Sequence, residues 1–215
     1  MAKLDPRALD VYVVTTGTLV SGRAHGEIAT AAIEGGATAL QLRAPELDDQ
    51  RLLPLAAAIG RMCGDAGVLF LIDDRVDVAV TCEAAGAHVG QWDDPGKARA
   101  RLGPERILGV SVGSVGEAER ASEMGADYLG VTVWSTSTKP EAEPIGLDGV
   151  RRIVDATELP VVGIGGIDAT NAREVLDAGA AGVAVISAVA TADDPVEAVR
   201  ELRLAVESFY EERAR

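Results

Sequence analysis

The residues in this 215-residue chain that could do chemistry stand just after short apolar runs. Gln41-Leu42-Arg43 sets an amide and a guanidinium two positions apart, hence on one side of an extended strand. Asp73-Asp74-Arg75 and His88-Val89-Gly90-Gln91-Trp92-Asp93 close the next two runs. Asp74 and Asp93 are hard oxygen donors. Two such carboxylates suit magnesium, which takes one or two of them and completes its shell with water or substrate phosphate. In so acidic a chain the same two residues also suit capping or plain solvation. Thr136-Ser137-Thr138-Lys139 adds hydroxyls and an ammonium, and Arg43 a planar fork, a set matched to charge on the scale of pyrophosphate. Gly163-Ile164-Gly165-Gly166-Ile167 and Val185-Ile186-Ser187 let backbone N–H groups approach an anion, or serve only as tight turns.

No nucleophile–base pair stands out. Ser111 and Ser187 have no adjacent histidine, and Cys63 and Cys82 lie alone on helical stretches without metal or disulfide spacing. The chemistry expected is electrostatic stabilisation rather than covalent catalysis. His88, a lone histidine within a strand, reads as a packing residue or as a support for another polar side chain. Trp92 and Trp134 read as pocket walls or as covers for an apolar edge.

Positioning these groups needs many strand ends. Apolar runs fall at 11–15, 39–43, 68–72, 87–90, 107–111, 127–132, 161–164 and 182–186, with helical stretches near 26–35, 49–65, 76–84, 95–102, 115–124, 147–156, 169–178 and 195–212. Asp168 and Asp194 are expected as N-caps, and Pro95 and Pro195 suit a first helical turn. Gly36-Ala37, Gly86-Ala87, Gly125-Ala126 and Gly179-Ala180 read as left-handed helix ends before buried strands. Eight such units predict one α/β domain over residues 1–215, a (β/α)8 TIM barrel, with an open doubly wound sheet as the alternative. In a barrel the residues after the strands gather at one end, and the long irregular segment 133–146 joins them there.

A net charge of −14 argues against nonspecific nucleic-acid binding, while local donors can still hold an anionic small molecule. No run approaches the roughly 18 apolar residues of a membrane span, and the first residues lack a signal-peptide core. The expectation is a soluble, cytoplasmic protein whose partners are small molecules, not nucleic acid or membrane. A homo-oligomer is possible, with no interface stripe to mark it.

Taken in order, these motifs resemble the thiamine-phosphate synthase (thiamine-phosphate pyrophosphorylase) family over roughly residues 11–200. The resemblance rests on Gln41-Leu42-Arg43, Asp74-Arg75, the run His88 to Asp93, Thr136-Ser137-Thr138-Lys139-Pro140, Gly163 to Ile167, and Gly182 to Ala188. It implies a transferase of thiamine biosynthesis that joins a hydroxymethylpyrimidine pyrophosphate to a thiazole phosphate with magnesium. It assigns Gln41 and Arg43 to the pyrimidine pyrophosphate and Asp74 and Asp93 to the metal. Ser111 and Lys139 would contact the pyrophosphate, with Arg43, Lys139 and Ser111 as the catalytic set. Thr136, Ser137, Thr138, Gly166, Ile186 and Ser187 would hold the thiazole phosphate. Asp73 joins the substrate-binding residues, although the family has Asn there. Pro45 stands where the family has Lys, and Thr132-Val133 where a Gly-Pro is common. The related thiazole tautomerase is the alternative, but its histidine would fall at position 113, where this chain has Gly113. A non-catalytic phosphate-binding barrel is a further alternative.

Overall fold

The structure, a computed structural model, describes residues 4–17, 22–135 and 143–215. Eight parallel strands close into a barrel in sequence order. They are β1 (Val11–Val14), β2 (Ala39–Leu42), β3 (Leu69–Asp73), β4 (Gly86–Val89), β5 (Ile107–Ser111), β6 (Tyr128–Thr132), β7 (Val161–Ile164) and β8 (Gly182–Val185). Outside them run α1 (His25–Gly35), α2 (Asp49–Ala66), α3 (Val76–Thr81), α4 (Pro95–Leu102), α5 (Val115–Glu123), α6 (Gly146–Ala156), α7 (Ala172–Asp177), the short α8 (Ser187–Ala190) and α9 (Pro195–Arg213). A 3-10 turn, Pro6–Leu9, precedes β1. The closed barrel is the expected one, and the open sheet is excluded. The 3-10 turn and α8 are additions to the sequence reading.

The strands are apolar on both faces because both are covered. Alternate residues point outward into a layer with the helices, where Val11, Val13, Leu40, Leu42 and Ile72 pack against α-helical residues such as Ile28, Leu52 and Val199. The other set points into the barrel, where Leu9, Tyr12, Val14, Leu71, Tyr128, Val162 and Ala184 fill the centre.

Local chemistry sets the helix starts. Asp48, Asp94, Ser114 and Asp194 each accept a backbone N–H in the first turn of α2, α4, α5 and α9, and Pro95 and Pro195 open their helices. Asp168 does not cap α7 as expected. Its carboxylate takes Thr170 N and Oγ1 at 2.8 and 2.6 Å, and Asn171 stands at the N-cap, because a turn intervenes after β7. Three of the four Gly-Ala pairs end helical segments with a left-handed glycine: Gly36 at φ 89°, Gly125 at 88° and Gly179 at 99°. Gly86 does not. It is the first residue of β4, and a Cβ there would lie 1.9 Å from the Ile107 carbonyl oxygen, so close strand approach is what demands glycine.

Candidate active site

The described residues that leave the strands on the way to the next helix lie at one end of the barrel. Gln41 is buried on β2, and Arg43 follows two residues later, half-buried. Asp73 ends β3 opposite them. It accepts from Gln41 Nε2, and its other oxygen lies 3.4 Å from Arg43 Nε. Gln41 and Arg43 thus share one side as expected, and both meet Asp73.

Asp74 is one of two non-glycine residues among those described with positive φ, at 56°, a conformation held where the surroundings require it. Its N–H donates to the His88 carbonyl at 2.8 Å. Asp93 Oδ2 accepts the Gly90 N–H at 2.8 Å. The two carboxylates flank Gly90: a Cβ built there would lie 3.0 Å from Asp93 Oδ2 and 3.9 Å from Asp74 Oδ1. That is an all-oxygen cradle, which only glycine leaves open. Among the described residues no group of three or more His, Cys, Asp or Glu converges as a metal site. Two carboxylates therefore need water or phosphate oxygens to complete a shell, which suits a magnesium ion. Trp92, 87% exposed, stands beside Asp74 and Asp93 at an open groove of about 690 Å³. A larger groove, about 1220 Å³, lies at the opposite end of the barrel and contains none of the expected site residues.

Ser111 corrects the sequence reading, because it does have a histidine partner. Register places His88 of β4 beside Gly109 of β5, two residues before Ser111, and His88 Nε2 lies 2.9 Å from Ser111 Oγ. The other ring nitrogen is 2.9 Å from Tyr128 Oη, which is 3.0 Å from Tyr12 Oη, and Tyr12 donates to Gln41 Oε1 at 2.8 Å. Room for this row comes from glycine. A Cβ on Gly109 would fall 2.2 Å from Tyr128 Cζ and 2.4 Å from His88 Nδ1, and one on Gly130 would fall 2.9 Å from His88 Cε1. Burial pushes both phenols above the ordinary tyrosine range, so each keeps its proton. Tyr12 and Tyr128 were missed because an aromatic inside a strand reads as core. The usable signal was parity, since both share their strand face with polar or glycine neighbours.

A second polar group ties the first two loops together. Thr15 Oγ1 accepts the Arg43 N–H at 3.1 Å and bonds His25 Nδ1 at 2.8 Å, while His25 Nε2 bonds Glu46 Oε1 at 2.7 Å. Burial is the largest influence on Glu46 and opposes its charge, but the His25 bond, a backbone hydrogen bond and the charges of His25 and Arg43 together hold that carboxyl below its usual range. Thr15 is fully buried and His25 nearly so, while Glu46 is exposed, so the hydroxyl–imidazole pair orients the Arg43 backbone from inside and the carboxylate closes the row at the surface.

After β7, Gly165 and Gly166 are left-handed, at φ 97° and 67°, and pack under Trp134. Trp134 therefore covers this turn and the core beside it. Ile186 follows β8 as the N-cap of α8, and Ser187 begins the helix. Thr136, Ser137, Thr138 and Lys139 lie outside the described residues.

Comparison with known proteins adds the family. The family model described as thiamine monophosphate synthase matches residues 11–189. The chain belongs to this family. It is 50% identical to the thiamine-phosphate synthase of Moorella thermoacetica over 197 residues, 90% of this chain and 94% of that one. It is 46% identical to that of a Roseiflexus species over 208 residues, 95% of this chain and 88% of that one. Among solved structures, the thiamine phosphate pyrophosphorylase of Pyrococcus furiosus is 40% identical with TM-score 0.88, covering 95% of this chain and 98% of its own. As a family member the chain is a transferase. Among the described residues no helix is long and apolar enough to cross a membrane.

Proposed function

We propose that this barrel joins a hydroxymethylpyrimidine pyrophosphate to a thiazole phosphate, giving thiamine phosphate and pyrophosphate. The observation that carries the reading is the convergence of Gln41, Arg43, Asp74, Asp93 and Ser111 at one barrel end in a member of the thiamine monophosphate synthase family.

In this reading Arg43 and Lys139 take the pyrophosphate, and Gln41 faces the pyrimidine beside it. Asp74 and Asp93 would hold magnesium, which supplies charge neutralisation for the departing pyrophosphate. The C–O bond to pyrophosphate breaks with its electron pair leaving on oxygen, and the electron-rich aminopyrimidine supports the cation. The thiazole nitrogen then donates its lone pair to form the new C–N bond. Thr136, Ser137, Thr138, Gly166, Ile186 and Ser187 hold the thiazole phosphate, so that its nitrogen is already near the reacting carbon. Positioning and electrostatic stabilisation supply the rate.

The tautomerase alternative calls for a histidine at position 113. A Cβ on Gly113 would lie 2.9 Å from Gln91 Nε2, which donates to both carboxylate oxygens of Glu117, and Glu117 also accepts the Gly113 N–H at 2.7 Å. The position where the tautomerase reading needs an imidazole thus carries no side chain, and a Gln91–Glu117 pair lies beside it, which supports the synthase. The test is an assay of the purified protein with both substrates and magnesium, reading thiamine phosphate by mass spectrometry. Product that vanishes with chelator is expected. Thiazole phosphate bound without product would overturn the synthase in favour of the binding-only barrel.

A further inference from the structure

The polar row across the barrel has one direction, which follows from proton counting. Asp73 is paired with Arg43 and accepts only, so it faces the Gln41 amide nitrogen, and the Gln41 oxygen faces Tyr12. Tyr12 has one proton and gives it to Gln41. Its oxygen must then accept from Tyr128. Tyr128 has spent its proton in turn, so its oxygen accepts from His88 Nδ1–H. In the singly protonated imidazole Nε2 then carries no hydrogen, and Ser111 donates to it.

We infer that Asp73 acts through Gln41, Tyr12, Tyr128 and His88 to set the Ser111 hydroxyl as a hydrogen-bond acceptor at the barrel mouth, suited to an exocyclic amine of the substrate rather than to an oxygen of its pyrophosphate. Tyr12 and Tyr128 are thus positioning residues. An Asn at position 73 could turn either end of its amide toward Gln41 and would leave the direction open; the carboxylate does not. With Ser111 committed to His88, its lone pairs face the cavity, and an acceptor-only pyrophosphate gains nothing there, whereas an exocyclic amine on a pyrimidine does. The choice of substrate group rests on the synthase reading; the direction of the row does not.

The experiment is nitrogen NMR of histidine-labelled free protein, above the range where an ordinary imidazole is protonated. The chain has two histidines, so a His25→Gln variant assigns the signals. Wild type is expected to carry His88 as the Nδ1–H tautomer, and an Nε2–H form overturns the inference. In Tyr12→Phe, Tyr128 loses its acceptor and turns its proton to His88 Nδ1, so the tautomer inverts; an unchanged tautomer also overturns it. The wild-type spectrum decides the direction even if that variant does not fold. A binding arm uses the aminopyrimidine pyrophosphate and an analogue with hydrogen in place of the amine. Ser111→Ala should weaken the first about tenfold and leave the second unchanged, and equal weakening would return Ser111 to the pyrophosphate. Correct tautomers without catalysis would sink the synthase reading and leave the relay standing.

Discussion

The Arg43 guanidinium and the Asp73 carboxylate face each other at the barrel mouth, Nε to Oδ2 at 3.4 Å. A cation that the proposed function needs for pyrophosphate is already partly neutralised, in a chain that also has Pro45 where its family resemblance leads one to expect Lys. Asp73→Asn removes that opposing charge. The KM for the pyrimidine pyrophosphate should fall roughly tenfold, the effect of one nearby charge at intermediate dielectric. An unchanged or higher KM would show that Asp73 does not oppose the substrate.

Asp74 and Asp93 flank Gly90 as an oxygen cradle. Asp74→Ala combined with Asp93→Ala should lower kcat roughly 100-fold or more, the scale on which one electrostatic stabiliser is lost. Calorimetry should also show loss of magnesium binding in the presence of pyrophosphate. Retention of both properties would remove the metal role from this pair.

Gly109 leaves no room for a side chain against Tyr128 and His88. Gly109→Ala forces a methyl into a filled interior and should cost about 1–3 kcal/mol in denaturant unfolding. If stability is unchanged, the Tyr128–His88 contact is looser than the 2.9 Å bond describes.

Asp10 sits buried just before β1 with Arg7 Nε 2.9 Å from Oδ2, while Oδ1 has no hydrogen-bond partner among the described residues. Burial, only partly offset by Arg7, pushes its carboxyl from 3.8 to about 6. A raised carboxyl pKa means the native state binds the proton more tightly. The resulting stability is fully present below 3.8 and is lost as pH rises through about 6. Asp10→Asn should therefore stabilise the protein by about 1–3 kcal/mol near pH ~8, with the gain vanishing near pH ~4. Thermal melts at the two pH values check it, and an equal gain at both would rule out the titration as the cause.

The amino-acid sequence by itself determined what is local. Apolar runs of strand length, capping residues such as Asp48 and Asp194, and the Gly-Ala pairs before β2, β6 and β8 specify alternating strands and helices. The i, i+2 spacing of Gln41 and Arg43 specifies a shared side. Each depends on neighbours a few positions away, so periodicity alone reveals it. Tertiary structure decided what depends on register. His88 reaches Ser111 and Tyr128 because barrel closure pairs Asp73 with His88, His88 with Gly109, and Gly109 with Tyr128. Gly86 and Gly109 are glycines for the same reason, since adjoining strands and the side chains inside the barrel come too close for a Cβ. No local pattern states which residues meet across a closed sheet; the strand offsets that close the barrel do.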